Sequence, residues 1–225
     1  MHIAGHSPSY IAKIENYKKL QEKPETRILD DRPNRDKLIA PTPLLFQPFG
    51  YFHDIRCGVE VPGQEKIRDG NLRQKVNKLA EEMTQFHDLE EDRRPKFLAG
   101  LEDIFDLTPG TINPSEIAGT KYRSDGHLNG DHGVMVFCVE CKNEISTASC
   151  EPAVQLVAYI SQSFKSRGNQ HPELFKRWKV PVLGAMNVGE FTLYLLSTLP
   201  HWNVQDPMSN FLGLSGWEEQ CVSPH

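Results

Sequence analysis

Glu140 and Lys142 close a strand that is otherwise apolar. The run Val134-Met-Val-Phe-Cys-Val139 ends in Glu140-Cys141-Lys142, and side chains two apart on a strand share a face, so Glu140 and Lys142 project together while Cys141 points away. A run this apolar suits a strand covered on both faces, and a charge at its end has to answer to something outside the sheet. Asp125, fifteen residues before Glu140, stands at hairpin distance and can fold back to the same edge. Two carboxylates converging on a rigid strand pair are hard oxygen donors, suited to Mg²⁺ or Mn²⁺ rather than to zinc, which prefers nitrogen and sulfur. A lysine beside them can position or help deprotonate an attacking water and offset charge building on a phosphate. Together these groups can carry out phosphodiester hydrolysis. On the following helix Gln155 and Tyr159 stand four apart, off the apolar stripe, and share a face of their own. Gln155 can hold a water or phosphate oxygen, and Tyr159 can contact a backbone phosphate or stack on a base.

The elements that must position these groups can be read from periodicity. Leu72, Val76, Leu79 and Met83 fall at spacings of four, three and four and predict an amphipathic helix over Asn71 to Phe86. A second helix carries Phe97, Leu98, Leu101, Ile104 and Phe105, and Pro109-Gly110 closes it. Extending its face backward from Leu98 by seven and four residues reaches Glu91 and Arg94. A carboxylate on a core-facing stripe must be paired or bound to a metal, and a local Glu91–Arg94 ion pair satisfies the first condition. Residues 119 to 142 read as a hairpin, with Thr120 to Asp125 leading into a turn-rich Gly126 to Gly133 and then the apolar strand. Pro152 starts a helix with Ala153, Leu156, Val157, Ile160 and Phe164 on its core stripe. Lys179 to Ala185 and Phe191 to Leu196 read as two more strands. The fold class is α/β, a layer sandwich whose mixed central sheet is flanked by helices.

With 225 residues, 38% apolar and 24% charged, the chain has the composition of an ordinary folded domain and is too short for several. Residues 1–66 are rich in Pro, Asp, Arg and Lys and read as an extended arm. Its aromatics Phe46, Phe49 and Phe52 alternate with prolines that block a regular helix; these aromatics pin the arm to the main domain or, in the alternative, hold a peptide or stack on a base. Residues 67–200 form the core unit, and 201–225 a tail with no periodic pattern. No apolar run approaches the ~20 residues of a membrane span and nothing near the start resembles a signal peptide. Five cysteines, an odd number in a chain too long to need stapling, fit a reducing compartment, nucleus or cytoplasm. The net charge of −5 means that any nucleic acid must be met by a local basic surface. Lys165, Arg167, Lys176, Arg177 and Lys179 against Glu173 give such a segment. Cys138 and Cys141, with His127, His132 or Cys150, invite a zinc reading. Residues three apart on a strand face opposite sides, which argues against it.

Asp125, Glu140-x-Lys142 at a strand end and Gln155-x-x-x-Tyr159 on the next helix resemble the PD-(D/E)XK nuclease superfamily, with its restriction-endonuclease-like core. The Gln-x-x-x-Tyr spacing is similar to the RecB-like and lambda-exonuclease-like branches, and the wording around Asp125, Glu140 and Gln155 to the nuclease-like domain of fungal Crinkler-type proteins. The resemblance covers roughly residues 71 to 199. It implies that Asp125 and Glu140 are ligands of Mg²⁺ or Mn²⁺ with the Cys141 carbonyl as a third, that Lys142 is the catalytic lysine, and that nucleic acid, DNA before RNA, is the substrate. Many members place a Glu of the first helix near the metals. Glu91 is the candidate here and Glu82 the alternative. Ser124 stands where the name-giving Pro would precede Asp125, a common departure. The kinase-like domain that often follows in the Crinkler group is not seen before His225, so the chain either lacks it or is cut short. Members of this fold also lose activity, and the competing reading is a catalytically inactive module that binds DNA or a protein. Oligomeric state is not readable.

Overall fold

The computed structural model describes residues 6–22, 47–63, 70–117, 119–143, 150–173, 181–189, 191–198 and 212–215. Its elements are α1 (Pro8–Ile11), α2 (Ile14–Gln21), α3 (Gln47–Arg56), α4 (Gly70–Thr84), α5 (Glu90–Ile104), β1 (Gly126–Asn129), a 3₁₀ turn (Asp131–Gly133), β2 (Met135–Lys142), α6 (Pro152–Gln170), β3 (Pro181–Val188), β4 (Phe191–Thr198) and β5 (Leu212–Ser215). The strands form one sheet in the order β1-β2-β3-β4-β5. β2 and β3 run parallel and every other neighbouring pair is antiparallel. A parallel pair needs a crossover connection, and α6 supplies it.

Alternation along the strands divides the core in two. Phe137, Val139 and Cys141 of β2 and Ala185 of β3 pack under α4 and α5 against Leu79, Met83, Phe97, Leu98 and Leu101. Cys138, Val182 and Met186 face the other way, against Ala153, Leu156, Val157, Ile160 and Phe164 of α6. Each large side chain buried there contributes roughly 1.5–3 kcal/mol. Gly100 lets α4 and α5 approach, since a Cβ at that position would lie 2.5 Å from Leu79 Cδ1. The structure is a mixed α/β sandwich with helices on both faces of a mixed sheet.

Several expectations are corrected. Where it is described, the N-terminal segment is helical and not an extended arm. Ser7 caps α1 through the Tyr10 N–H, Pro8 opens it, and Ile11, Ala12 and Leu20 lie inside the α6-side core. Pro48 does not prevent α3, because a proline in the first turn forfeits only a hydrogen bond the helix start lacks anyway. Pro41 to Phe46, the side chains of Phe49 and Phe52, and most of 201–225 lie outside the described residues, although β5 forms within that tail. The first strand of the hairpin begins after Asp125, not before it. Gly126 to Asn129, expected in the turn, pair with Val139 to Met135, and the turn itself is confined to residues 130–134.

Glu102 is a buried carboxylate with a purely structural assignment. Its oxygens accept from the Gly110 N–H at 3.0 Å and the Ile112 N–H at 2.6 Å, closing the turn that leads from α5 toward β1. Glu102→Ala should leave the buried Ile112 N–H without an acceptor and destabilise the protein by about 2 kcal/mol in urea unfolding. Glu102→Gln should lose less than half of that, and equal losses would disprove the hydrogen-bond account.

Candidate active site

Antiparallel register brings the two carboxylates together. Gly126 pairs with Val139, so one further step sets Asp125 opposite Glu140. Asp125 Oδ2 accepts the Cys141 N–H at 2.8 Å and continues the ladder with a side chain where β1 has not yet begun. The residue after Asp125 is a glycine for a steric reason. A Cβ on Gly126 would come within 2.8 Å of Leu98 and 3.1 Å of Ile112.

Lys142 holds the centre of the cluster. Its Nζ lies 2.8 Å from Glu140 Oε1, 3.4 Å from Glu90 Oε2 and 3.9 Å from Asp125 Oδ2, and it donates to the Cys141 carbonyl at 2.8 Å. Arg94 Nη1 stands 3.3 Å from Asp125 Oδ1 and 3.7 Å from Glu90 Oε1. Three carboxylates therefore share two cations, one positive charge short of neutrality.

Burial sets the electrostatics. Glu140 is 0% exposed, and desolvation, reinforced by the nearby Asp125 charge, pushes its carboxyl up to about 8 against the pull of Lys142. Desolvation also raises Glu90, with Lys142 opposing it. For Lys142 burial works against the ammonium, but the Glu140, Asp125 and Glu90 charges outweigh it and hold its pKa above the ordinary value. Lys142 is accordingly a permanent cation in this arrangement.

A divalent cation fits this donor set. Glu140 Oε2 is buried with no hydrogen-bond partner among the described residues, and once Glu140 is ionised the cluster carries one surplus negative charge. Among the described residues no group of three or more His, Cys, Asp or Glu side chains stands in metal-holding geometry. The candidate ligands are thus the two carboxylates and the Cys141 carbonyl. Mg²⁺ commonly makes do with one or two carboxylates, filling its remaining positions with water and substrate phosphate.

Among the sequence candidates, Asp125, Glu140, Cys141 and Lys142 are brought together. Glu91 is not, being exposed on α5, and Glu90 takes its place. Glu82 pairs at the surface with Lys96 at 2.5 Å. Counting back seven residues from the fully buried Phe97, instead of from Leu98, would have reached Glu90. Gln155 and Tyr159 are both buried, and Gln155 Nε2 donates to the Tyr159 hydroxyl at 3.1 Å. Tyr159 packs in the α6-side core, where desolvation and then the Glu140 charge raise its phenol, so its ring is not open for base stacking. Arg167 is bound to the hairpin turn, donating to the Gly133 carbonyl at 3.0 Å and to Gln170 at 2.7 Å. Lys165 is half-buried on the same helix. Lys176 and Arg177 lie outside the described residues. Cys138 and Cys141 belong to opposite faces of β2, and burial raises both thiols well above their ordinary range. His127, in the stretch expected to be turn, is instead buried on β1, 2.8 Å from Ser124 Oγ, and burial lowers its pKa. No helix among the described residues is long and apolar enough to cross a membrane. Comparison with family models, with curated proteins and with solved structures returns no match.

Proposed function

We propose that this chain is a PD-(D/E)XK-type nuclease that hydrolyses phosphodiester bonds, in DNA before RNA, with Mg²⁺ or Mn²⁺. The observation that carries the reading is the meeting of Asp125, wholly buried Glu140 and Lys142 at one strand end, with the ammonium 2.8 Å from one carboxylate and 3.9 Å from the other. A divalent cation bound there would supply Lewis acidity and a template for the phosphate. Asp125 and Glu140 would hold it, assisted by the Cys141 carbonyl. Arg94 fixes the orientation of Asp125 and Glu90. Lys142, held as an ammonium, acts by charge on the oxygens of the phosphate and takes no proton from water in this arrangement. In this reading the protein works in the nucleus or cytoplasm.

Cleavage of single-stranded DNA, duplex DNA and RNA with Mg²⁺, Mn²⁺ or EDTA tests the proposal, comparing the protein with its Glu140→Ala/Lys142→Ala variant. Metal-dependent cleavage should appear in the former and vanish in the latter. A second reading rests on the two cations already standing against all three carboxylates: a site occupied in this way suits an inactive module that only binds DNA or protein. Absence of cleavage, or equal cleavage by both proteins, would favour it.

A further inference from the structure

The loop between α4 and α5 carries the most exposed large apolar side chain among the described residues. Phe86 is 86% exposed, and Leu89 at the head of α5 is 56% exposed. Scattered apolar groups on a surface need no explanation. These two differ because their loop is held in place, and held against the candidate active site. His87, between them, is buried with Nε2 3.2 Å from the Glu82 carbonyl. Its own carbonyl accepts from Asn143 Nδ2 at 3.4 Å, and Asn143 directly follows Lys142. The Leu89 carbonyl accepts the Asp92 and Arg93 N–H groups. The next residue, Glu90, is the ion-pair partner of Lys142.

Phe86 is therefore one residue from a hydrogen bond to the end of the β2 strand and four from a carboxylate of the cluster. Four extended residues reach about 14 Å, the length of about four stacked bases. The flanking residues Asp88, Glu90, Glu91 and Asp92 are acidic, so this loop has little to offer a phosphate backbone. An aromatic face is what it presents, and every base has a matching one once it is unpaired.

We propose that Phe86 is a stacking platform for an unpaired base of the strand whose phosphate enters the Asp125–Glu140–Lys142 cluster. The inference rests on the nuclease reading and names its substrate class as single-stranded or frayed nucleic acid. In an intact duplex the base faces are already stacked on one another and are closed to Phe86.

The test is binding of a labelled single-stranded DNA 12-mer and of a blunt-ended duplex closed by G·C pairs to the protein and to its Phe86→Ala and Phe86→Trp variants, with Ca²⁺ replacing Mg²⁺, and cleavage measured separately with Mg²⁺. Phe86→Ala should weaken single-strand binding about tenfold, within the range for loss of one base stack, and leave duplex binding and the thermal midpoint unchanged. Phe86→Trp should keep the affinity, with its added emission quenched by single strand alone. Single-strand binding unchanged in Phe86→Ala, equal weakening for both substrates, or no single-strand binding at all would each overturn the platform. Cleavage that persists alongside Phe86-independent binding overturns the platform alone. Phe86-dependent binding without cleavage supports the platform and overturns the nuclease reading.

Discussion

Glu140→Gln is expected to reduce metal-dependent cleavage about a thousandfold or more, while making the metal-free protein more stable above neutral pH. The first effect follows from removing a ligand of the cation, whose charge stabilisation is worth several kcal/mol, at 1.36 kcal/mol for each factor of ten. The second follows from burial. The fold raises the Glu140 carboxyl from its ordinary 4.5 to about 8, so the folded state prefers the neutral form. That preference is fully present below about pH 4.5 and is lost as pH rises through about 8. Over this window the native protein gives up as much as about 5 kcal/mol that a never-ionising glutamine retains. The difference in thermal midpoint, variant minus native, should be near zero at pH 4 and largest at pH 8 and above. Saturating Mg²⁺ should reverse its sign, because the cation restores a partner to the ionised carboxylate. Melting curves across pH, with and without Mg²⁺, check both halves. A variant that melts with the native protein at pH 8 and cleaves normally would remove Glu140 from either role.

Lys142→Ala should be the most destabilising single change in the cluster when metal is absent. It would leave Glu90, Asp125 and Glu140 with Arg94 alone. Truncating one partner of a largely buried ion pair costs about 3 kcal/mol or more, which in a chain of this length lowers the thermal midpoint by roughly 10 °C. The loss should be recoverable. With the ammonium gone, the oxygens that surrounded it are open to Mg²⁺ or Mn²⁺, and millimolar cation should raise the midpoint of the variant more than that of the native protein. Cleavage should stay low even in the rescued variant, since the charge that acts on the phosphate is missing. Equal cation-induced shifts in the two proteins would show that the Lys142 ammonium does not compete with the cation for these oxygens.

The parts of the fold that were legible are those whose signal is local. The four-three-four spacing from Leu72 to Met83 delivers α4 within a few residues, and Pro152 marks the start of α6. The convergence of Asp125 and Glu140 was also legible, because two segments at hairpin distance have few ways to pair. Errors arose where a distant partner decides. Nothing within the four residues of α1 announces that Ile11 is buried, since its cover is α6, far along the chain. Gln155 and Tyr159 read as a separate polar face only if α6 is amphipathic. In fact every residue from Pro152 to Phe164 is buried between the sheet and the N-terminal helices, and a helix covered all round has no polar face to offer. The slip from Glu90 to Glu91 is a matter of phase: the stripe is centred nearer Phe97 than Leu98, and one residue turns a helix by about 100°.

The docking of α1 on the start of α6 has a consequence for how the chain is made. The Glu151 N–H donates to the Ala12 carbonyl at 2.8 Å and the Cys150 thiol to the Ser9 carbonyl at 3.2 Å, a separation of 141 residues. Ser9 and Ala12 must therefore wait for Cys150 and Glu151 to be made before they find their place, and closing so long a loop makes this a late event in folding. Until then the α6 surface that receives Ile11 and Ala12 is open to any apolar chain nearby. Removing the first 22 residues would make that exposure permanent, and the shortened protein should associate with itself during synthesis even though its strand-end carboxylates are intact.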